Sequence, residues 1–436
     1  MMHRNHLPEQ LPTTPISSPP FFVRLGILMG LVCFAGLPLL ASNLAWAAPS
    51  AGKQAVEVTG PMMPTEKAKT QKTTQVAKIN KPDVVIPKAG KGKKKPIWGW
   101  GFGGYIMTGY RFNFNDEKLL RLGDSDGFYV SRARMGLKLR VKDFRAVISI
   151  DGIFDRRADP FDVSPSTRRL AVELRDAFLN YTHSSGFYIS VGQNKVPFSM
   201  HADRSATEEK FINFPLIAVG EDIAFGYQVR PIIPGRDIGV LLGFDRTFGL
   251  AHFRIEASVF NGNGPNRFGN DSDLPAVATR FFLDIGSYFH IGGSFMFNQR
   301  RVGEEPNLFD ESDLVFGADI GFKIAGFFLE GGFAARQTTF LTTGQENDFA
   351  FGFRGDLGYK IPVINLEIVA RVEMYDPSSL FDDDMLLYIT AGLNWYYRIW
   401  RQHQLVLRLN YIAKLELNQN RALNNDQINL MIQYRY

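Results

Sequence analysis

From Trp98 onward, apolar and polar residues alternate with a period of two, and this limits the fold more than any other feature of the sequence. Between Gln404 and Asn418, Leu405, Leu407, Leu409, Tyr411, Ala413, Leu415 and Leu417 fall on one face. Arg408, Asn410, Lys414, Glu416 and Asn418 fall on the other, with Val406 and Ile412 as exceptions. Successive side chains of a strand point to opposite faces, so this segment separates an oily surface from a wet one. The last strand repeats the arrangement, with Ile428, Leu430, Ile432, Tyr434 and Tyr436 against Gln427, Asn429, Gln433 and Arg435. Shorter copies run Ala146, Ile148, Ile150 against Arg145, Ser149, Asp151, and through Leu314-Phe316-Ala318-Ile320-Phe322 and Phe349-Phe351-Phe353.

Sixteen such strands are predicted: 98–114, 127–142, 144–154, 171–183, 186–196, 236–245, 250–260, 275–284, 288–299, 313–323, 326–337, 347–359, 361–375, 385–398, 403–418 and 427–436. Long polar connections (115–126, 155–170, 197–235, 261–274, 300–312, 376–384) alternate with short turns along the whole segment. An even number of strands, short turns at one end and long loops at the other is the pattern of an outer-membrane barrel. Hydrocarbon surrounds such a barrel, which explains an oily face on every strand and leaves no tolerable open edge. Aromatics near strand ends (Trp98, Trp100, Tyr110, Tyr359, Tyr375, Trp395, Tyr397, Tyr436) suit interfacial girdles. A hydrophobic fraction of 45% with a mean hydropathy of −0.11 excludes a bundle of membrane helices. The expected fold is therefore all-β: a 16-stranded antiparallel transmembrane β-barrel with an inward-folded third loop.

Three regions divide the chain. In residues 1–48, an apolar run from Phe21 to Ala41 ends in Ala45-Trp46-Ala47-Ala48, small residues at the spacing a signal peptidase reads. Gly30, Gly36 and Pro38 interrupt the run, favouring a cleaved leader over a permanent anchor. The one cysteine, Cys33, lies in this leader, so the exported chain has no disulfide, thiolate or cysteine-based metal chemistry. Residues 49–96 carry eleven Lys against Glu57, Glu66 and Asp83, with hardly an aromatic, and read as a disordered Lys/Pro-rich periplasmic extension. Without interleaved aromatics the lysines leave no nucleic-acid footprint. Residues 1–48 sum to +1 and 49–96 to +8, which leaves −4 for residues 97–436 out of the overall +5. The basic character belongs to the tail, not to the barrel.

The barrel's polar face nevertheless has a basic bias. On the second strand Arg132, Arg134, Lys138, Arg140 and Lys142 share the inward phase, opposite Ala133, Met135, Leu137, Leu139 and Val141. Arg145, Arg254, Arg280, Arg336, Arg354, Arg371, Arg398 and Arg408 follow on later strands, against Asp151, Asp237, Glu256, Asp319, Glu330, Asp356, Glu367 and Glu373. Sixteen strands enclose an aqueous lumen, and rows of Arg and Lys along it lower the barrier to anions. Arg132, Arg134, Lys138, Arg140, Arg145, Arg254, Arg280, Arg371 and Arg408 are the candidate pore-lining residues. The longest loop, Pro197–Gly235, holds Phe198, Phe211, Phe214, Phe225 and Tyr227, too much apolar surface for a loop left in water. Folding inward would bury it and narrow the pore, with Lys195, Arg204, Lys210, Arg230 and Arg236 as candidate constriction residues.

Gly192-Gln193-Asn194-Lys195-Val196-Pro197-Phe198-Ser199, Pro234-Gly235-Arg236-Asp237-Ile238-Gly239-Val240 and Val259-Phe260-Asn261-Gly262-Asn263-Gly264 resemble the phosphate-selective porin O and P family, as do Arg132-Ala133-Arg134 and Asp176-Ala177-Phe178-Leu179. The resemblance covers roughly residues 97–436 and implies a trimeric sixteen-stranded channel with an inward third loop and anion preference. Two departures stand out. Asn213-Phe214-Pro215 occupies the part of the loop where phosphate-specific members tend to carry an acid-Arg-Ser step, and Tyr436 stands where such barrels usually end in Phe.

Enzyme readings find little. Gly123-Asp124-Ser125-Asp126-Gly127 matches a G-x-S-x-G pattern, but strands flank it where a nucleophile elbow needs a strand and a helix. His183, His252, His290 and His403 are scattered over different strands and turns, and Asp382-Asp383-Asp384 reads as a solvated loop. The expectation is a non-enzymatic outer-membrane porin without cofactor. It passes small solutes, with anions such as phosphate preferred, and has outer-membrane lipids and two further copies of itself as partners. The alternatives are a weakly selective general porin and a barrel that tethers the envelope through its Lys-rich tail.

Overall fold

The computed structural model describes residues 98–114, 127–154, 170–219, 222–223, 227–228, 230–303, 308–341, 346–381, 384–400, 403–416 and 426–436. The expected leader with Cys33, the Lys-rich extension, Ser125 and the Asp382-Asp383 pair lie outside them.

Sixteen strands form one closed ring, each antiparallel to its neighbours. They are β1 Trp98–Asn113, β2 Gly127–Val141, β3 Phe144–Phe154, β4 Leu170–Thr182, β5 Phe187–Lys195, β6 Arg236–Phe248, β7 Ala251–Phe260 and β8 Ala276–Ile285. Then follow β9 Phe289–Val302, β10 Phe309–Ile324, β11 Phe327–Phe340, β12 Asp348–Ile361, β13 Leu366–Asp376, β14 Leu386–Trp400, β15 His403–Glu416 and β16 Gln427–Arg435. The ring closes where β1 meets β16, with Tyr105 opposite Arg435 and Asn113 opposite Gln427. At this seam Gly104 and Tyr436 exchange backbone hydrogen bonds of 3.3 and 3.1 Å. A Cβ on Gly104 would stand 2.1 Å from the Arg134 carbonyl oxygen and 2.6 Å from the Tyr436 hydroxyl, so only glycine fits there.

The wall is inside-out, as the alternation required. Leu430 and Ile432 are exposed while Gln427, Asn429 and Gln433 are buried, and Leu409 and Tyr411 are exposed while Arg408 and Asn410 are buried. Water surrounding such a surface would be costly, since each exposed large apolar side chain forgoes about 1.5–3 kcal/mol of burial. Lipid removes that cost.

Strand limits differ from expectation in two ways. β9, β10 and β11 run three or four residues further towards the long loops, and β6 runs three further into the short turn before β7. One short turn lies later and is longer than expected: it was placed at residue 360, between strands 347–359 and 361–375, but β12 ends at Ile361 and β13 begins at Leu366. Pro362 has no N–H to give a ladder, and Asn365 turns the chain with a positive φ of 52°.

Residues between β5 and β6 form buried apolar clusters with the strands. Among the described residues of 196–235, between β5 and β6, are two short helical turns, α1 Met200–Asp203 and α2 Leu216–Val219, separated by a 3₁₀ turn at Ala206–Glu208. Phe198, Leu216, Ile217, Ile232 and Ile233 pack against Met296, Val315, Ala334, Ala350, Tyr375 and Ile412 of the wall. Ala206, Ile212 and Phe214 pack against Tyr105, Met107 and Met431. Phe211 packs against Phe328 and Val369. One exception to the alternation thereby has its cause: Ile412 occupies the polar phase because this segment covers it.

Candidate functional site

Hydrogen bonds fasten residues 196–235 to the polar face of the wall from β8 round to β15. Arg280 donates to the Phe198 carbonyl at 2.9 Å and to Asp319 at 2.8 and 3.0 Å. Glu373 accepts from the Leu216 N–H at 2.9 Å, and Asn410 from the Ile212 N–H at 2.7 Å. Asn394 donates to the Lys210 carbonyl, Arg371 to the Asn213 carbonyl and Arg408 to the Thr207 carbonyl. Arg204 pairs with Glu330, Lys210 with Glu367, and Arg230 with Glu311 and Asp313. Arg280, Arg371 and Arg408, expected to line open water, are instead 1–2% exposed beneath this segment. Burial covers the charges and the acids pair with most of them.

Within the segment, Glu209 lies 2.9 Å from His201 and 3.5 Å from Arg371. Burial alone would raise the Glu209 carboxyl. The charge and hydrogen bond of His201, followed by Arg371 and Arg204, override it and hold the group well below the usual carboxylate range. Burial lowers the His201 imidazole and outweighs the opposing pull of Glu209.

The other side of the ring is different. Between this segment and β2, β4, β5 and β6 lies a cavity of about 110 Å³ lined by Arg132, Arg134, Arg175, Lys195, Arg204 and Arg236, with Ala206, Phe214 and Ile233 as an apolar flank. At roughly 30 Å³ per water, it admits a few waters or one small oxyanion. Among the described residues, Arg204 is matched by Glu330 and only two carboxylates stand within ion-pair distance of the other five cations. Asp151 Oδ2 stands 2.7 Å from Arg134, 3.4 Å from Arg132 and 3.7 Å from Arg175. Asp176 accepts from Arg236 at 2.8 Å and from the Ser149 hydroxyl at 2.6 Å. Lys195 donates to the Arg204 carbonyl at 2.7 Å. An excess of three positive charges therefore faces one small cavity. Among the described residues, the Nε atoms of Arg134 and Arg175 are buried there without a hydrogen-bond partner, a state that costs free energy unless something accepts from them.

Two local irregularities build this cluster. Arg132 lies opposite Met107 but Thr108 lies opposite Val130, so Ser131 is an extra residue in β2. Ser149 lies opposite Asp176 but Ile150 lies opposite Leu174, so Arg175 is an extra residue in β4. Such bulges re-aim side chains. Here the exposed set on β4 passes from Val172 and Leu174 to Leu179, and Arg175 and Asp176 both turn inward. Gln193 braces the bulge by donating to the Leu174 and Arg175 carbonyls at 2.6 and 3.1 Å. Beside it Gly192 has a φ of 123°, and a Cβ there would meet the Ala177 carbonyl oxygen at 2.2 Å.

Of the fourteen candidate residues, the structure gathers Arg132, Arg134, Lys195, Arg204 and Arg236 at the cavity. Lys195 and Arg236 lie on the strands expected to flank the loop, as the last residue of β5 and the first of β6, paired with each other. Lys210 and Arg230 lie in the segment but are engaged with wall acids. Lys138 and Arg140 are exposed, Arg145 is half-buried over the Phe178 ring, and Arg254 donates to Asp245. Arg175 was not anticipated, because a strict period of two cannot signal a bulge. Nor was the row in which Asp245, His252, Asp284, His290 and Asp319 follow one another across β6 to β10 at 2.7, 3.1, 2.6 and 2.6 Å.

The model of the phosphate-selective porin O and P family matches residues 103–302, a window that contains all the motifs of the resemblance. No curated protein sequence matches the chain. Among solved structures, the trimer form of OmpT of Vibrio cholerae is 10% identical with a TM-score of 0.52, over 78% of this chain and 99% of that one. Its loop L8 deletion mutant is 9% identical with the same TM-score, over 78% and 100%. OmpF of Salmonella typhi in complex with daunomycin is 14% identical with a TM-score of 0.51, over 77% and 97%. At these identities the likeness establishes the barrel fold.

Proposed function

We propose that this channel-forming outer-membrane porin, similar over residues 103–302 to the phosphate-selective porin O and P family, passes small anions by passive diffusion and holds them briefly beside Arg132, Arg134, Arg175, Lys195 and Arg236. The observation that supports this reading is the excess of three positive charges around one cavity between the wall and residues 196–235. In a narrow passage with low-dielectric walls an uncompensated charge acts strongly on any ion that passes. Guanidinium forks match the oxygens of phosphate or carboxylate. The contacts of residues 196–235 with β8 to β15 support the reading of this segment as the inward-folded constriction.

Planar-bilayer recordings under a salt gradient provide the test. We expect the reversal potential to indicate anion preference, and currents in phosphate or pyrophosphate to persist with reduced conductance as the anion dwells. A clear preference for potassium over chloride would refute the reading. A trimer is proposed by extension from the trimer form of OmpT, and chemical crosslinking in detergent checks it through a band at three times the single-chain mass.

A further inference from the structure

We propose that Asp151 is a positioning residue that lets this channel distinguish tetrahedral oxyanions from halides, by holding Arg132, Arg134 and Arg175 as one preformed donor array. This rests on the anion reading of the same cavity.

Asp151 is wholly buried, and one of its oxygens faces all three guanidinium groups while the other has no hydrogen-bond partner among the described residues. A single carboxylate cannot neutralise three arginines, each with five N–H donors. Its effect is geometric. It fixes where the three planes converge, and among the described residues the Nε atoms of Arg134 and Arg175 have no acceptor. Two of the planes are also held from behind, Arg132 by the Phe214 ring at 5.1 Å and Arg134 by the Tyr105 ring at 5.3 Å. The third is fixed by its bulge, whose carbonyls Gln193 braces. Asp176 contrasts with this, since it matches Arg236 and Ser149 one oxygen each and so acts as an ordinary counter-charge.

A spherical halide responds chiefly to net charge, whereas a tetrahedral oxyanion responds also to the placement of several donors. If Asp151 were only a counter-charge, its removal would strengthen chloride and phosphate together. As an organiser, its removal affects them in opposite directions. In Asp151→Asn we expect the chloride-over-potassium preference to hold or rise, because a negative charge is lost. We expect phosphate block of the chloride current to weaken about tenfold. Asp151→Glu, which returns the carboxylate one methylene displaced, recovers part of the phosphate block. Arg175→Lys keeps the charge but loses the fork. It weakens phosphate block by a larger factor than it weakens the chloride-over-potassium preference, and it serves if the Asp151 variants do not fold. Parallel strengthening of both anions in Asp151→Asn, or an unchanged phosphate-to-chloride ratio in Arg175→Lys, would overturn the proposal. Wild-type preference for cations would instead defeat the anion reading beneath it, so the two failures are separate.

Discussion

Arg175 shows how much one inserted residue can change. Its guanidinium brings the cavity from two excess charges to three, yet nothing in an alternation of polar and apolar residues points to it. Arg132 and Arg134 were legible because they keep the inward phase of β2, and Lys195 and Arg236 because they fall in motifs flanking the longest loop. Arg175 breaks phase, and only the pairing of Ser149 with Asp176 and of Ile150 with Leu174 makes it an inward residue. We expect Arg175→Gln to move the reversal potential towards zero. A unit charge withdrawn from about 6 Å changes an anion's energy by about 0.7–3 kcal/mol between water-like and surface-like dielectrics. Bi-ionic potentials in potassium chloride measure it. Acid acts on another residue pair. Both His201 and Glu209 are lowered in the folded protein, so each adds stability above its unfolded value and loses it as pH falls. The loss begins near the ordinary imidazole value of about 6.5, and at lower pH a third positive charge arrives beside Arg354 and Arg371. Single-channel noise should therefore grow from pH 7 to pH 5, and His201→Gln should flatten that dependence.

At the scale of elements, the strands were readable and the segment between β5 and β6 only partly so. Lipid on one side and water on the other impose the alternation directly, so fourteen-residue strands such as β15 declare themselves. The inner face carries a weaker signal, because part of it is covered by residues 196–235 and there behaves like a globular core. Ile412, an anomaly in the pattern of β15, is the trace of that cover. The length and aromatic content of the segment suggested where it goes, while its partners depend on contacts 80 to 200 residues away, such as Arg230 with Glu311 and Ile212 with Asn410. Phe198 is its most enclosed apolar anchor, at 0% exposed. Phe198→Ala should cost about 3–5 kcal/mol of local anchorage while the ring stays closed. The expected result is a larger, noisier conductance with unchanged heat-modifiable migration in gels. Loss of the folded band would show that the segment supports the wall itself.

For the whole molecule, the apolar exterior fixes the solvent and the closed ring follows from it. Ile148 is 55% exposed near the middle of β3, whereas its neighbour Ser149 faces inward against Asp176. Arginine at a lipid-facing midplane position costs about 2–4 kcal/mol, so Ile148→Arg should lower the unfolding free energy of vesicle-folded protein in urea titration by that amount. No change would mean that the outer face meets water. The meeting of Tyr105 with Arg435 has a kinetic consequence. This contact joins segments some 330 residues apart, and the entropy of bringing such distant points together is spent before any reward arrives. No partial product of synthesis has both rims of the sheet, and every earlier stage exposes two raw edges and an oily flank to the periplasm. Delivery must therefore outlast synthesis, with the chain escorted unfolded until its final segment is available, and assembly becomes a single late event at the membrane.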